Sequence, residues 1–377
     1  MSNCENPGLY IHIPFCRTKC PYCDFYSITS LSLVPDWRDA LMREIMGYKD
    51  QFSAFDSLYL GGGTPSVLSE QDLTRLFENI FRHFSFTPGT EITIEANPDD
   101  ITREKLELLK ALGVTRISLG VQSFDTLELR YLGRRHTARL ADQALESIRR
   151  CGSFDLGVDL MYGLPGQQTS DWMKSMTRAL DFRPEHLSCY QLTLHEETLF
   201  GKRLVKGRIK PLDEKEERDF FLLTAKFLEE KSYIHYEISN FARQEAYMAR
   251  HNRKYWHRAS YLGLGPSAHS FTDSVRWWNV NCVTTYCEML GANTLPVAGS
   301  ERLSEDQERL ESLWLGLRTR EGIDLSLVRH QSGADKVLAQ LQAANLVVIS
   351  GGRVIPTREG FVVADSLPLL FSDGELK

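Results

Sequence analysis

Strand–helix units repeating along residues 1–232 predict an α/β fold, an incomplete (β/α)6 barrel, followed by a small winged-helix-like α+β domain at the C-terminal end. Three observations predict it. Short apolar, β-branched runs recur at intervals of roughly 30 to 40 residues, the length of a strand–helix unit. Amphipathic helical patterns fill the gaps between them. Polar or glycine-rich residues collect at the C-terminal ends of the runs, where a barrel gathers its loops. The expected organisation is a barrel over 1–232, an aromatic-rich connecting region over 233–299 and a winged-helix-like domain over 300–377.

The six runs are Leu9–Phe15, Phe55–Leu60, Glu91–Glu95, Arg116–Val121, Leu156–Met161 and His186–Leu194. The helical patterns cover Asp36–Tyr48, Glu70–Phe84, Thr102–Leu112, Ala138–Cys151, Asp171–Phe182 and Asp213–Lys231. In the third, Thr102 is an N-cap, Leu106, Leu109 and Leu112 share one face, and Gly113 stops the helix. Six βα units in series imply a parallel sheet, which right-handed crossovers curl into an open barrel. Gly61–Pro65 follows the second run, Glu95 ends the third and Gln122 the fourth. Asp159 lies late in the fifth, and Tyr190 and Thr193 in the sixth. A single strand-end Gln or Asp is usually a cap, but six strands delivering such residues at one end predict one shared site.

Beyond residue 232 the pattern changes. Tyr233–Phe241 and His251–Trp256 are aromatic-rich and irregular. Glu301–Leu317 and Ala334–Ala344 are amphipathic helices, and Leu346–Pro356 reads as a hairpin turning at Gly351-Gly352. Winged helices often bind DNA. Residues 301–377 carry 9 Lys/Arg against 12 Asp/Glu, a poor footprint for nucleic acid, which favours a structural or lid role.

The 377 residues carry a net charge of −6, which argues against broad binding to nucleic acid or acidic membranes. No basic stretch followed by an apolar core opens the chain, and no apolar run approaches 18 residues. A cytoplasmic location without an integral membrane segment is therefore expected. In a reducing compartment the eight cysteines read as metal ligands or buried thiols rather than disulfides. Cys4, Cys151, Cys189, Cys282 and Cys287 lack ligand spacing and read as incidental.

Cys16, Cys20 and Cys23 do not. They form C-x3-C-x2-C within eight residues. A structural zinc site wants four protein ligands, often as paired C-x2-C units, and no second pair exists. His12 could complete the set, but four residues before Cys16 in a strand it is poorly placed to wrap one ion. An iron–sulfur cubane held at three corners fits better, and it leaves one iron open to a ligand.

This pattern after a first barrel strand resembles the signature of the radical S-adenosylmethionine (SAM) superfamily, whose members carry a [4Fe-4S] cluster that chelates SAM. Gly61–Pro65 resembles that superfamily's GGE-type motif, where glycines permit close backbone approach. Along essentially the whole chain the sequence is similar to the oxygen-independent coproporphyrinogen III oxidase-like family. The similarity rests on Tyr10–Cys16, Gly61–Pro65, Glu95–Pro98, Gly120–Phe124, Gly133–His136, Asp159–Gln167 and the C-terminal domain. The resemblance implies SAM contacts at Tyr10, Tyr22, Gly62, Gly63, Thr64, Glu95, Gln122, Arg134 and Asp159. Carboxylates there can accept from ribose hydroxyls or an ammonium, Arg134 can pair with a carboxylate, and the tyrosines supply walls.

Three departures separate the chain from the oxidases of that family, which act in porphyrin biosynthesis. Those enzymes resemble C-x3-C-x2-C-x-C, whereas Phe25 stands at the last position here. They carry a long N-terminal arm, whereas nine residues precede Tyr10. His251-Asn-Arg-Lys-Tyr-Trp256 matches the H-N-x-x-Y-W motif of the family's heme chaperones. The resemblance thus implies binding of heme, with His251 as candidate iron ligand and Tyr255 and Trp256 against the macrocycle, and transfer of heme to an acceptor protein. It also makes a homodimer plausible. Decarboxylation of coproporphyrinogen III is the alternative. A radical SAM RNA-modifying enzyme is a third reading, disfavoured by the absence of a basic surface.

Overall fold

The computed structural model describes residues 6–329 and 333–371, so Cys4 lies outside the described residues. Six parallel strands form the barrel: β1 (Gly8–Ile13), β2 (Phe55–Gly62), β3 (Phe86–Ala96), β4 (Arg116–Gln122), β5 (Asp155–Tyr162) and β6 (His186–Gln191). They pair in chain order, each parallel to the next, and β1 never meets β6. The helices between and after them are α1 (Val34–Tyr48), α2 (Glu70–His83), α3 (Arg103–Ala111), α4 (Thr126–Tyr131), α5 (Ala138–Cys151), α6 (Thr169–Asp181), α7 (Leu199–Val205) and α8 (Glu214–Glu230). α4 and α7 are too short for a periodicity signal. The α/β class and the open barrel match the sequence reading.

Local chemistry accounts for these elements. In α2, Ser69 caps the first turn by accepting from Asp72 N. Leu73, Leu76, Phe77 and Ile80 then repeat at helical spacing and are buried against the sheet. Each such burial contributes roughly 1.5–3 kcal/mol, which stabilises the helix more than propensity does. Thr102 caps α3 as expected, its side chain accepting from Lys105 N. Alternate residues of β1 show why the barrel has two faces: Leu9, Ile11 and Ile13 enter the core between sheet and helices, while Tyr10 and His12 point the other way.

Residues 233–299, irregular by sequence pattern, extend both edges of that sheet. β7 (Ile234–His235) and β8 (Asn240–Ala242) cover β6, with β8 running antiparallel to it. β9 (Tyr261–Leu264) adds to β1 in parallel, and β10 (His269–Thr272), β11 (Val275–Asn279) and β12 (Val297–Arg302) follow antiparallel. Between them, α9 (Arg250–Trp256) lies under the barrel and α10 (Val283–Gly291) packs on α1. The anchor of this extension is Glu44 on α1. Fully buried, it accepts from Gly265 N, Asn279 Nδ2 and the Tyr286 hydroxyl at 2.8, 2.6 and 2.6 Å.

The C-terminal part contains α11 (Glu305–Gly316), β13 (Ile323–Asp324), α12 (Ser326–Arg329), α13 (Ala334–Ala343), β14 (Val347–Ser350), β15 (Arg353–Pro356) and α14 (Arg358–Val362). The expected helix at Glu301–Leu317 begins later, because Glu301 and Arg302 pair with β11 and a capping box at Ser304 and Gln307 starts the helix. β14 and β15 form the expected hairpin, with Gly351 and Gly352 at φ of 57° and 76°. β13 completes a three-stranded sheet over its own cluster of Leu313, Leu317, Val328, Leu338 and Val354. Among the described residues no helix is long and apolar enough to cross a membrane.

Candidate functional site

The C-terminal strand ends surround a cavity of about 510 Å³ that runs down the barrel axis. Cys16, Cys20 and Cys23 border its mouth, on the loop that leaves β1. That loop is held by backbone hydrogen bonds from Cys16 N to Ile28 O and from Ile28 N to Pro14 O, and a turn joins Cys23 N to Cys20 O. Cys16 Sγ lies 3.3 Å from Thr64 Oγ1, and Arg134 Nη1 donates to Cys20 Sγ at 3.5 Å. Burial pushes the Cys16 thiol up and that of Cys23 up to about 11, with the neighbouring sulfurs adding to both. Clustered thiols that resist ionisation alone are the donor set a cationic iron cluster relieves, since metal binding removes the protons. Among the described residues no three His, Cys, Asp or Glu side chains converge where one ion could be held.

The glycine run after β2 has a steric reason. A Cβ on Gly63 would strike the carbonyl oxygens of Phe15 and Ile13 at 2.7 and 2.8 Å, and one on Gly62, at φ +105°, would strike the His12 ring at 2.6 Å. The loop therefore lies flush against the cysteine loop. Gly62 N donates to Glu95 Oε2, Gly63 N to Ile13 O and Thr64 N to Phe15 O. With these donors used internally, carbonyl oxygens are what the run can present to a ligand ammonium.

Glu95 also accepts from the Tyr59 hydroxyl at 2.8 Å, and Asp159 from Ser118 Oγ at 3.0 Å. Both carboxyls are buried, which raises Glu95 to about 7 and Asp159 to about 6. Arg134 Nη2 donates to Gly120 O at 2.7 Å and to Asn97 Oδ1. Gln122 has φ +67° beside a register shift in the β4–β5 ladder, and its buried Oε1 has no partner. Arg134 Nε, Thr93 Oγ1 and Ser27 Oγ are likewise buried and unpartnered on this lining. Orphaned polar atoms and a strained non-glycine residue around one cavity are what a polar ligand site looks like without its ligand's hydrogen bonds.

Thus Cys16, Cys20, Cys23, Tyr22, Gly62, Gly63, Thr64, Glu95, Gln122, Arg134 and Asp159 share one cavity. Tyr10 does not line it. Its hydroxyl donates to His12 Nδ1 at 3.0 Å, while His12 Nε2 donates to Tyr26 O. Sequence reasoning missed Asn97, which bridges Arg134 and Thr64, and Tyr59, which holds Glu95. Asn97 sat inside the Glu95–Pro98 stretch, so a signal existed; Tyr59 reads as an ordinary strand residue.

His251, Tyr255 and Trp256 lie at the opposite end of the barrel, on α9. His251 is 1% exposed and its ring stacks on Tyr59 at 5.3 Å. Its Nδ1 meets Ser57 Oγ at 3.0 Å and its Nε2 meets the Tyr255 hydroxyl at 2.9 Å. Both ring nitrogens are thus hydrogen-bonded within the protein in this arrangement. Burial lowers its pKa to about 3, so the ring is neutral. Trp256 is half-buried, with the Arg318 guanidinium over its ring at 6.0 Å. The motif floors the barrel: Asn252 and Ala249 line the lower cavity.

Known proteins place this geometry. The Radical SAM superfamily model matches residues 10–179, and the HemN C-terminal domain model matches 303–363. Heme chaperone HemW of Mycobacterium tuberculosis (strain ATCC 25618 / H37Rv) is 35% identical over 96% of this chain and 93% of that protein. Heme chaperone HemW of Bacillus subtilis (strain 168) is 32% identical over 95% of this chain and 97% of its own. The solved structure of coproporphyrinogen III oxidase (HemN) from Escherichia coli, a radical SAM enzyme, superposes with a TM-score of 0.83 at 24% identity, covering 98% of this chain and 91% of that one, a likeness of fold. With these relatives matched along nearly its whole length, the chain belongs to the HemW family of the radical SAM superfamily.

Proposed function

We propose that this protein is a cytoplasmic heme chaperone: it holds a [4Fe-4S] cluster on Cys16, Cys20 and Cys23, binds SAM in the barrel cavity, and passes heme to an acceptor protein. The observation that carries the cluster and SAM is that three cysteines of one loop, a flush glycine loop, two buried carboxyls and unpartnered polar atoms border one cavity. When bound, such a cluster supplies one-electron chemistry and an open iron for SAM. The chain's own residues then do the rest. Carbonyls of the glycine run could accept from an ammonium, Glu95 and Asp159 could accept from it or from ribose hydroxyls, and Arg134 could pair with a carboxylate. All seven described cysteines are free, which suits a reducing compartment.

The chaperone reading rests on the names of the whole-length relatives. Phe25, 68% exposed beside the cluster loop, also stands where the oxidases of the wider family are expected to carry a further cysteine. The test is anaerobic. The cluster-loaded chain is titrated with hemin, then incubated with SAM and coproporphyrinogen III. A saturable Soret band without porphyrinogen decarboxylation is expected. Protoporphyrinogen formation would restore the oxidase reading, and absence of hemin binding would end the chaperone one.

A further inference from the structure

Alternate residues of β2 divide between two faces. Leu58 and Leu60 enter the core, while Ser57, Tyr59 and Gly61 face the barrel interior. At the foot, Ser57 Oγ lies 3.0 Å from His251 Nδ1. Higher up, Gly61 leaves room that a side chain would fill: a Cβ there would lie 2.8 Å from the Tyr59 ring and 3.0 Å from Glu95 Oε1. Between these two levels stands Tyr59, on the cavity lining. Its hydroxyl donates to Glu95 Oε1 at 2.8 Å, and its ring stacks on the His251 imidazole with 28° between the planes.

We infer that Tyr59 is the positioning residue of the SAM site: its hydroxyl fixes the Glu95 carboxylate, and His251 of the α9 motif fixes its ring. The inference rests on the reading of this cavity as a SAM site. Among the described residues the carboxylate has two hydrogen-bond donors, Tyr59 and the more distant Gly62 N at 3.2 Å. The groups that face it from other elements are acids or phenols: Asp159 on β5, Tyr190 on β6, Tyr10 on β1 and Tyr255 on α9. Arg134 is turned to Gly120 O and Asn97 instead. Burial pushes the Glu95 carboxyl up to about 7 and the Asp159 carboxyl adds to the rise, while the two donors oppose it, Tyr59 more than Gly62. Loss of the Tyr59 hydroxyl would therefore free one carboxylate oxygen and disfavour its charge.

The ring is held as firmly as the hydroxyl. His251 is itself fixed at both nitrogens, by Ser57 and Tyr255. Tyr10 closes the third side, its ring 6.1 Å from that of Tyr59 and stacked on His251 at 6.2 Å. A carboxylate that must meet a ligand gains from a neighbour whose own rotamer is locked by packing. Through this one ring a disturbance of the α9 motif reaches Glu95.

The experiment is anaerobic calorimetry of the full chain with its cluster, titrated with SAM between pH 6 and pH 9. The unaltered protein is compared with Tyr59→Phe, Glu95→Gln, His251→Ala and the double variants with Tyr59→Phe. Phenylalanine keeps the stacked ring and removes only the donor. Tyr59→Phe should move the midpoint of SAM affinity up by about one pH unit, so that affinity falls roughly fivefold at pH 7 and less than about 1.2-fold at pH 9. A merely structural role would lower it equally at every pH. In Glu95→Gln the same change should have no pH-dependent effect. His251→Ala should weaken SAM binding at pH 7 at least roughly twofold, and that loss should vanish once Tyr59 is already Phe. A Tyr59→Phe variant with unchanged affinity, or with a loss equal at all pH values, would overturn the inference while the SAM reading stands. Additive losses from Tyr59→Phe and His251→Ala would overturn the part given to His251. Failure of the unaltered protein to bind SAM would instead remove the SAM reading itself.

Discussion

SAM affinity should rise steeply with pH, because two of the carboxyls expected to hold it titrate near neutrality. Glu95 has a pKa of about 7 and Asp159 of about 6, both raised first of all by burial. A raised acid is protonated below its pKa, and a protonated carboxyl loses the charge that attracts an ammonium. Lowering the pH from 8 to 6 takes Glu95 from about 0.9 to about 0.09 ionised, and apparent affinity falls with the competent fraction, roughly tenfold. Asp159 adds about twofold over the same interval, so the total is roughly twentyfold, or nearly 2 kcal/mol. The assay is calorimetric titration of the anaerobic cluster-loaded chain with SAM at both pH values, beside Glu95→Gln. SAM's own groups titrate identically for the two proteins, so the ratio of their pH dependences isolates Glu95. The variant should keep only about a twofold dependence. An unaltered protein with the same Kd at pH 6 and pH 8 would refute the reasoning.

Further outcomes follow from other residues. Cys20→Ser should abolish the broad charge-transfer absorbance of the cluster while leaving far-UV dichroism intact; retained absorbance would mean that other cysteines hold the cluster. His251→Ala leaves Ser57 and Tyr255 hydroxyls unpartnered beneath the barrel and should cost about 3 kcal/mol in urea unfolding. A stability loss under about 1 kcal/mol would contradict the floor role. The stability difference between Glu44→Gln and the unaltered protein should shift progressively in the variant's favour as pH rises from 4.5 through 7. The sign follows from its raised folded pKa of about 7: the protonated acid is favoured inside, so ionisation at higher pH costs stability, up to about 3 kcal/mol. Parallel stability curves for the two proteins would show that burial of this carboxyl does not govern its titration.

Much of the site was legible because its signals are local or periodic. C-x3-C-x2-C places three thiols on one short loop whatever surrounds them. The strand-end positions of Glu95, Gln122 and Asp159 follow from counting strand–helix units, and a parallel barrel necessarily brings those ends together. Gly351-Gly352 specified a hairpin because both positions need positive φ. The register of β12 was not legible, since Glu301 and Arg302 suit a helix and only pairing with β11 makes them a strand.

By itself, then, the sequence determined the open barrel, the cysteine loop and the shared place of most of the strand-end residues expected to contact SAM. Tertiary structure decided where the His251 motif goes. An H-N-x-x-Y-W segment reads as a candidate heme site, and its partners in the fold are Ser57, 194 residues away, and Glu91, 160 residues away. No local pattern encodes such contacts. Folding buries His251 at the foot of the barrel with both imidazole nitrogens hydrogen-bonded. Spacing along the chain sets which ligands can be neighbours, while long-range packing sets which of them still face a ligand.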